Sequence, residues 1–232
     1  MPRSLFSSRL EFDAAENNLT AHLAEKRRSG ATVLDLTESN PTRVGIVYPE
    51  GWAKALAGPG ALAYDPSPRG LPEARAAIAA YYAGRGVRVD ADSLALCAST
   101  SEAYALLLKL LCDPGDAVLA PQPGYPLLDP IAALEGVRLG RYPLGFNGGW
   151  RIDIDALAAG IDTRTRAVVL VHPNNPTGTF VKRAELEALQ ELARRHDLAL
   201  ISDEVFSEYA FAPPPDRVGV IAAEANVPCF SL

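Results

Sequence analysis

Arg166-Ala167-Val168-Val169-Leu170-Val171 runs straight into His172-Pro173-Asn174-Asn175-Pro176-Thr177-Gly178, and further on Leu198-Ala199-Leu200-Ile201-Ser202 runs into Asp203-Glu204. Both apolar runs are short and unbroken, as in strands of a parallel sheet that are buried on both faces. Between them, Lys182–His196 sets Leu186, Leu189, Leu192 and Ala193 on one stripe, the pattern of a helix packed by one side. A buried strand, a helix and a second buried strand make a parallel crossover unit, so this stretch decides for an α/β fold.

The same rhythm extends outward. Toward the amino terminus, Ser93–Cys97 reads as a short strand before a helix over Ser101–Cys112. Ala117–Ala120 reads as a strand before a helix ending at Glu135, and Val137–Tyr142 as a strand followed by a short helix over Asp153–Ala159. The expectation is a mostly parallel sheet with helices on both faces. Earlier still, the pattern predicts a helix over Asp13–Ser29 stopped by Gly30, a short strand over Val33–Leu36, and a helix from Pro72 to Gly84 with proline in its first turn. Residues 1–40 are expected to form an arm or part of a small domain, and 41–232 one larger domain.

Composition narrows the class. The 232 residues are 48% hydrophobic and 22% charged, enough apolar content to bury a core without staples. A net charge of -6 gives no basic footprint for nucleic acid. Cys97, Cys112 and Cys229 are odd in number and lack CxxC spacing, which argues against a disulfide framework or structural zinc and fits a reducing compartment. Three scattered histidines (His22, His172 and His196) offer no metal set. The start, Met1-Pro2-Arg3-Ser4-Leu5-Phe6, shows no long apolar run of a leader or membrane span, so a cytoplasmic protein is expected.

Ligands of open α/β sheets bind beyond the carboxyl ends of the strands. Beyond Cys97 lies Ser99-Thr100-Ser101-Glu102, a hydroxyl-rich helix start whose free N–H groups suit a phosphate, or simply an ordinary cap. Beyond Ala120 lies Pro121-Gln122-Pro123-Gly124-Tyr125-Pro126, a stiff loop that either presents Tyr125 as a flat stacking surface or packs it in a turn. Asn174 and Asn175 crowd more turn-forming residues into one loop than a plain turn needs, and their amides can meet a ligand oxygen. Asp203 ends a buried strand, where a carboxylate is costly unless a cation or several donors meet it. Anion cradle, aromatic plate, amide and carboxylate together match a planar, phosphorylated, nitrogen-heterocyclic cofactor.

With Tyr64 and Gly70 upstream, the order Ser99-Thr100-Ser101-Glu102-Ala103, Pro123-Gly124-Tyr125-Pro126, Asn174-Asn175-Pro176-Thr177-Gly178 and Ser202-Asp203-Glu204 resembles the class I/II aminotransferases, pyridoxal-phosphate enzymes of fold type I. The resemblance covers essentially the whole chain. It implies that Ser99, Thr100 and Ser101 bind the cofactor phosphate, Tyr125 stacks on the ring, and Asn175 bonds its phenolic oxygen. It implies that Asp203 keeps the ring nitrogen protonated so that the ring serves as an electron sink. Tyr64 resembles the tyrosine that reaches a neighbouring subunit's phosphate, which implies a homodimer, and Ser39 and Asn40 lie where the family lines the substrate carboxylate.

Two departures stand out. Phe206 occupies the position where the family usually has a tyrosine. The family's Schiff-base lysine follows the strand after the Asp-Glu segment, whereas Lys26, Lys54, Lys109 and Lys182 all precede Asp203. That lysine is therefore expected beyond Leu232, and the chain is expected to be the amino-terminal, truncated part of an aminotransferase, inactive alone. Alternatives are a non-catalytic protein that binds pyridoxal phosphate or only dimerises, and a lyase or decarboxylase of the same fold. A nucleotide-binding α/β protein is disfavoured because no GxGxxG or GxxxxGK[ST] follows a strand.

Overall fold

The structure, a computed structural model, describes Leu5 and residues 7–10, 16–35, 40–209 and 216–232. These fall into two units: the described part of Phe12–Pro66, and Ser67–Leu232 with the described part of Met1–Glu11. The smaller unit contains α1 (Asn18–Arg28), opened by Asn17, whose side chain accepts the Thr20 N–H at 2.8 Å. The expected start at Asp13 lies outside the described residues. Val33, Leu34 and Asp35 form no strand, with no strand beside them among the described residues, and Asp35 meets Arg27 at 3.2 Å. Leu36 lies outside the described residues.

In the larger unit the chain forms α2 (Pro72–Ala83), α3 (Thr100–Leu111), β1 (Ala117–Gln122), α4 (Leu128–Glu135), β2 (Arg138–Phe146) and β3 (Trp150–Ile152). It continues through α5 (Ile154–Ala159), β4 (Thr165–Val171), α6 (Arg183–His196), β5 (Ala199–Asp203), α7 (Ile221–Glu224) and β6 (Cys229–Ser231). The strands lie in the order β3-β2-β1-β4-β5-β6. All neighbours run parallel except the β2–β3 hairpin. This is the mostly parallel sheet expected.

Alternation along the central strands sorts the core into two layers. Leu119, Val168, Leu170 and Leu200 point to the face covered by α5 and α6. Val118, Ala120, Ala167, Val169, Ala199 and Ile201 point to the face covered by α3 and α4. Helices therefore lie on both faces of one sheet, each burying its apolar stripe.

The segment Leu94–Cys97 is not a strand. Its apolar residues suit one, but a strand exists only where a neighbour takes up its backbone groups. Here the Leu96 N–H instead reaches Arg69 O at 3.0 Å. The hairpin strand β3 and the short α7 have no counterpart in the sequence pattern.

At the amino ends of the strands, charges close on one another. The Asp116 side chain is 1% exposed and lies 2.9 Å from both Arg164 Nε and Arg166 Nε. Arg138 pairs with Asp162 at 3.1 Å, and Lys109 with Glu135.

Candidate active site

The carboxyl ends of β1, β4 and β5 lie side by side, because these strands are parallel neighbours. The loops leaving those ends converge through specific contacts. His172 N–H donates to Asp203 O at 2.7 Å, locking the end of β4 to the end of β5. The Asn174 amide donates to Pro123 O at 3.2 Å and to Thr177 Oγ1 at 3.0 Å, tying the loop after β4 to the loop after β1. The Tyr104 hydroxyl donates to Asp203 Oδ2 at 3.0 Å, bringing the second turn of α3 to the end of β5. Three loops and one helix start thus share one rim of the sheet.

Each part has a local cause. Gly124 turns the loop after β1 at a place where a Cβ would sit 2.4 Å from Pro121 O, so only glycine fits. The turn leaves Tyr125 half exposed, its hydroxyl without a described partner. At the start of α3, Ser99 Oγ accepts the Glu102 N–H at 3.2 Å, and Glu102 reaches back to the Ala98 N–H. This reciprocal cap occupies the Ser99 hydroxyl. Thr100 and Ser101 keep their N–H groups and hydroxyls free of partners among the described residues, at the positive end of a 12-residue helix. Asn175 is partly exposed and its amide likewise has no described partner.

Asp203 is 8% exposed. Its two oxygens receive the Tyr104 hydroxyl and the Val205 N–H at 3.2 Å, and no cation among the described residues pairs with it. A buried carboxylate ordinarily meets a positive partner. Beside it, His172 is fully buried and braced on both ring nitrogens: Nδ1 accepts the Val181 N–H at 2.9 Å and Nε2 faces Val218 O and Gly219 O at 3.1 Å. Those partners place its proton on Nε2. Burial pushes its pKa below the ordinary value, so it stays neutral and props the loop rather than exchanging protons. Asn174, also buried, leaves its side-chain oxygen without a partner. The donor set fits a phosphorylated ring with a protonated nitrogen: N–H groups and hydroxyls for an anion, an aromatic face, an open amide and an uncompensated carboxylate.

The structure brings Ser99, Thr100, Ser101, Tyr125, Asn175 and Asp203 onto one rim. Tyr64, 93% exposed, and Asn40, whose side chain accepts the Thr42 N–H and hydroxyl at 3.0 and 2.7 Å, belong to the other unit. Ser39 lies outside the described residues. Tyr104 joins the site without having been marked by the sequence pattern, since its place four residues before Leu108 makes it look like one more apolar residue on a helix stripe. A hydroxyl on that aliphatic stripe was the signal available.

A family model described as aminotransferase class I and II matches residues 31–229. The chain belongs to the class I and II aminotransferases. It is 34% identical over 193 residues to an alanine aminotransferase of Mycobacterium tuberculosis, covering 82% of this chain and 45% of that protein. It is 32% identical over 185 residues to the glutamate-pyruvate aminotransferase AlaA of Escherichia coli, covering 78% and 45%. The chain thus spans about half the length of the curated relatives it matches. Among solved structures, an alanine aminotransferase from Pyrococcus furiosus superposes with a TM-score of 0.82 at 27% identity, covering 97% of this chain and 58% of that one. These class I and II aminotransferases are pyridoxal-phosphate enzymes of fold type I. No helix among the described residues is long and apolar enough to cross a membrane.

Proposed function

We propose that the chain is the cofactor-holding part of a pyridoxal-phosphate aminotransferase that moves an amino group between an amino acid and a 2-oxo acid in the cytoplasm. The observation that carries this is Asp203, a buried carboxylate without a cationic partner among the described residues, on the same rim as the free N–H groups of Thr100 and Ser101. In this reading Thr100 and Ser101, with the Ser99 backbone, hold the phosphate. Tyr125 covers one face of the ring, Asn175 donates to its phenolic oxygen, and Asp203 accepts from its protonated nitrogen. When bound, the cofactor supplies the electron sink for the substrate carbanion. Tyr64 reaches the phosphate of a second subunit in a homodimer, and Ser39 and Asn40 line the substrate carboxylate.

The 232 residues alone are expected to bind the cofactor without turning over. Of the lysines in the larger unit, Lys109 is paired with Glu135 at the far end of the sheet. Lys182 donates to Trp150 O at 2.8 Å, beside the α5 and α6 face. Lys26 and Lys54 belong to the smaller unit. The test is titration of the purified chain with pyridoxamine phosphate, which needs no lysine, together with an amino-donor and keto-acid assay. Saturable binding of one molecule per chain with no product is expected. Absence of binding overturns the cofactor reading, and product formation overturns the inactivity.

A further inference from the structure

Two tyrosines are fully buried in the larger unit, and they spend their hydroxyls differently. Tyr142 donates to Val169 O at 2.9 Å, a bond within the fold. Tyr104, 1% exposed, donates to a side-chain carboxylate, Asp203 Oδ2, at 3.0 Å across 99 residues of chain. Asp203 shares a sheet face with Ala199 and Ile201, the face that α3 covers, so strand alternation aims the carboxylate at Tyr104. The bond is the longest-range side-chain contact that Asp203 makes among the described residues, and the Val205 N–H is its other described donor.

We propose that Tyr104 is a positioning residue for the ring-nitrogen site: its hydroxyl fixes the Asp203 carboxylate in the orientation that meets the cofactor's ring nitrogen and holds a proton there. Hydrogen bonding to the charged form of a carboxylate favours that form. Burial, and then the Asp203 charge, push the Tyr104 phenol far above its ordinary pKa, so it is a donor throughout the working range. Phe206, three residues beyond Asp203, brings no hydroxyl to the site, which leaves Tyr104 as the tyrosine bonded to this carboxylate. The inference rests on the cofactor reading above.

The experiment is nitrogen NMR of the 232-residue chain saturated with pyridoxamine phosphate labelled at the ring nitrogen. The wild type and Tyr142→Phe are expected to show the resonance of a protonated ring. Tyr104→Phe is expected to shift it toward the unprotonated position at the same pH and to weaken binding about tenfold, the scale of a hydrogen bond to a charged group. A purely structural role would leave the resonance where it is. Should Tyr104→Phe not fold, the buried hydroxyl proton of Tyr104 in the wild type serves instead: it is expected to move when the ligand saturates the site. An unchanged ring resonance in Tyr104→Phe, or an unmoved hydroxyl proton in the wild type, overturns the inference alone. Failure of the wild type to bind overturns the cofactor reading and the inference with it.

Discussion

Asp116 and Asp203 are both buried carboxylates at strand ends, one at each end of the sheet. Asp116 sits at the amino ends with a guanidinium on either oxygen, and the Arg166 hydrogen bond foremost holds its carboxyl below the ordinary range. Asp203 sits at the carboxyl ends with a phenol and a backbone N–H but no cation among the described residues. Burial alone therefore does not set these two carboxylates apart. Completeness of the charge set does. One end of the sheet meets its carboxylate with cations of the chain itself, whereas the other, among the described residues, meets it with neutral donors alone, which is what the proposed ring-nitrogen role builds on.

The largest expected effect tests that contrast directly. Asp203→Asn should weaken pyridoxamine phosphate roughly a hundredfold, the scale of losing one partner of a buried ion pair, in a binding titration. Its urea midpoint should hold or rise, because an uncompensated buried charge is removed. If stability falls along with binding, Asp203 is as structural as Asp116 and the contrast breaks.

Asp116→Asn should do the reverse, lowering the urea midpoint while binding is unchanged. Its sign with pH comes from linkage. A carboxyl held below its ordinary pKa stabilises the fold above that ordinary value, and the contribution disappears as pH falls through the lowered one. Unfolding curves of wild type and variant should therefore separate at neutral pH and converge in acid.

Glu204 supplies the smallest effect and sharpens the picture. Its Oε1 accepts the Ile221 N–H at 2.9 Å and the Ser231 hydroxyl at 2.7 Å, stitching β5 to α7 and β6. Burial raises its pKa above the ordinary value, so the folded chain keeps a proton that the unfolded chain has released. That costs stability as pH climbs through the carboxylate range. Glu204→Gln keeps the accepting oxygen, and thermal melts should show it gaining on wild type between acid and neutral pH, with ligand affinity unaffected.

The parts of the site legible in the sequence are those whose residues violate local expectation. Two asparagines and two prolines in one turn, or an aspartate closing an apolar run, stand out without any knowledge of neighbours. Tyr104 does not stand out, because on a helix its ring satisfies the apolar stripe and its hydroxyl acquires meaning only from a strand 99 residues away. Ser99 admits two readings in the sequence, a cap or a phosphate contact, and the fold uses its hydroxyl as the cap. The fold is readable for the same reason that Leu94–Cys97 misleads. Apolar runs suggest burial, and the central strands are buried, but Leu94–Cys97 is largely exposed and has no partner strand among the described residues to complete a ladder. The β2–β3 hairpin escapes notice because its second strand is three residues long and comes after a glycine pair that reads only as a turn.

The two-layer core has a consequence for how the chemistry is inherited. In β5 the pleat sends Ile201 and Asp203 to one face and Ser202 to the other. A register slip of one residue against β4 would exchange the faces, withdrawing the carboxylate from Tyr104 and offering a serine in its place. What prevents this is the apolar pairing of Val169 with Ile201 and Val168 with Leu200, residues buried in the two core layers. The parity of the core is in that sense part of the site's specification. Substitutions among these aliphatic residues can silence the site while every polar side chain is still present.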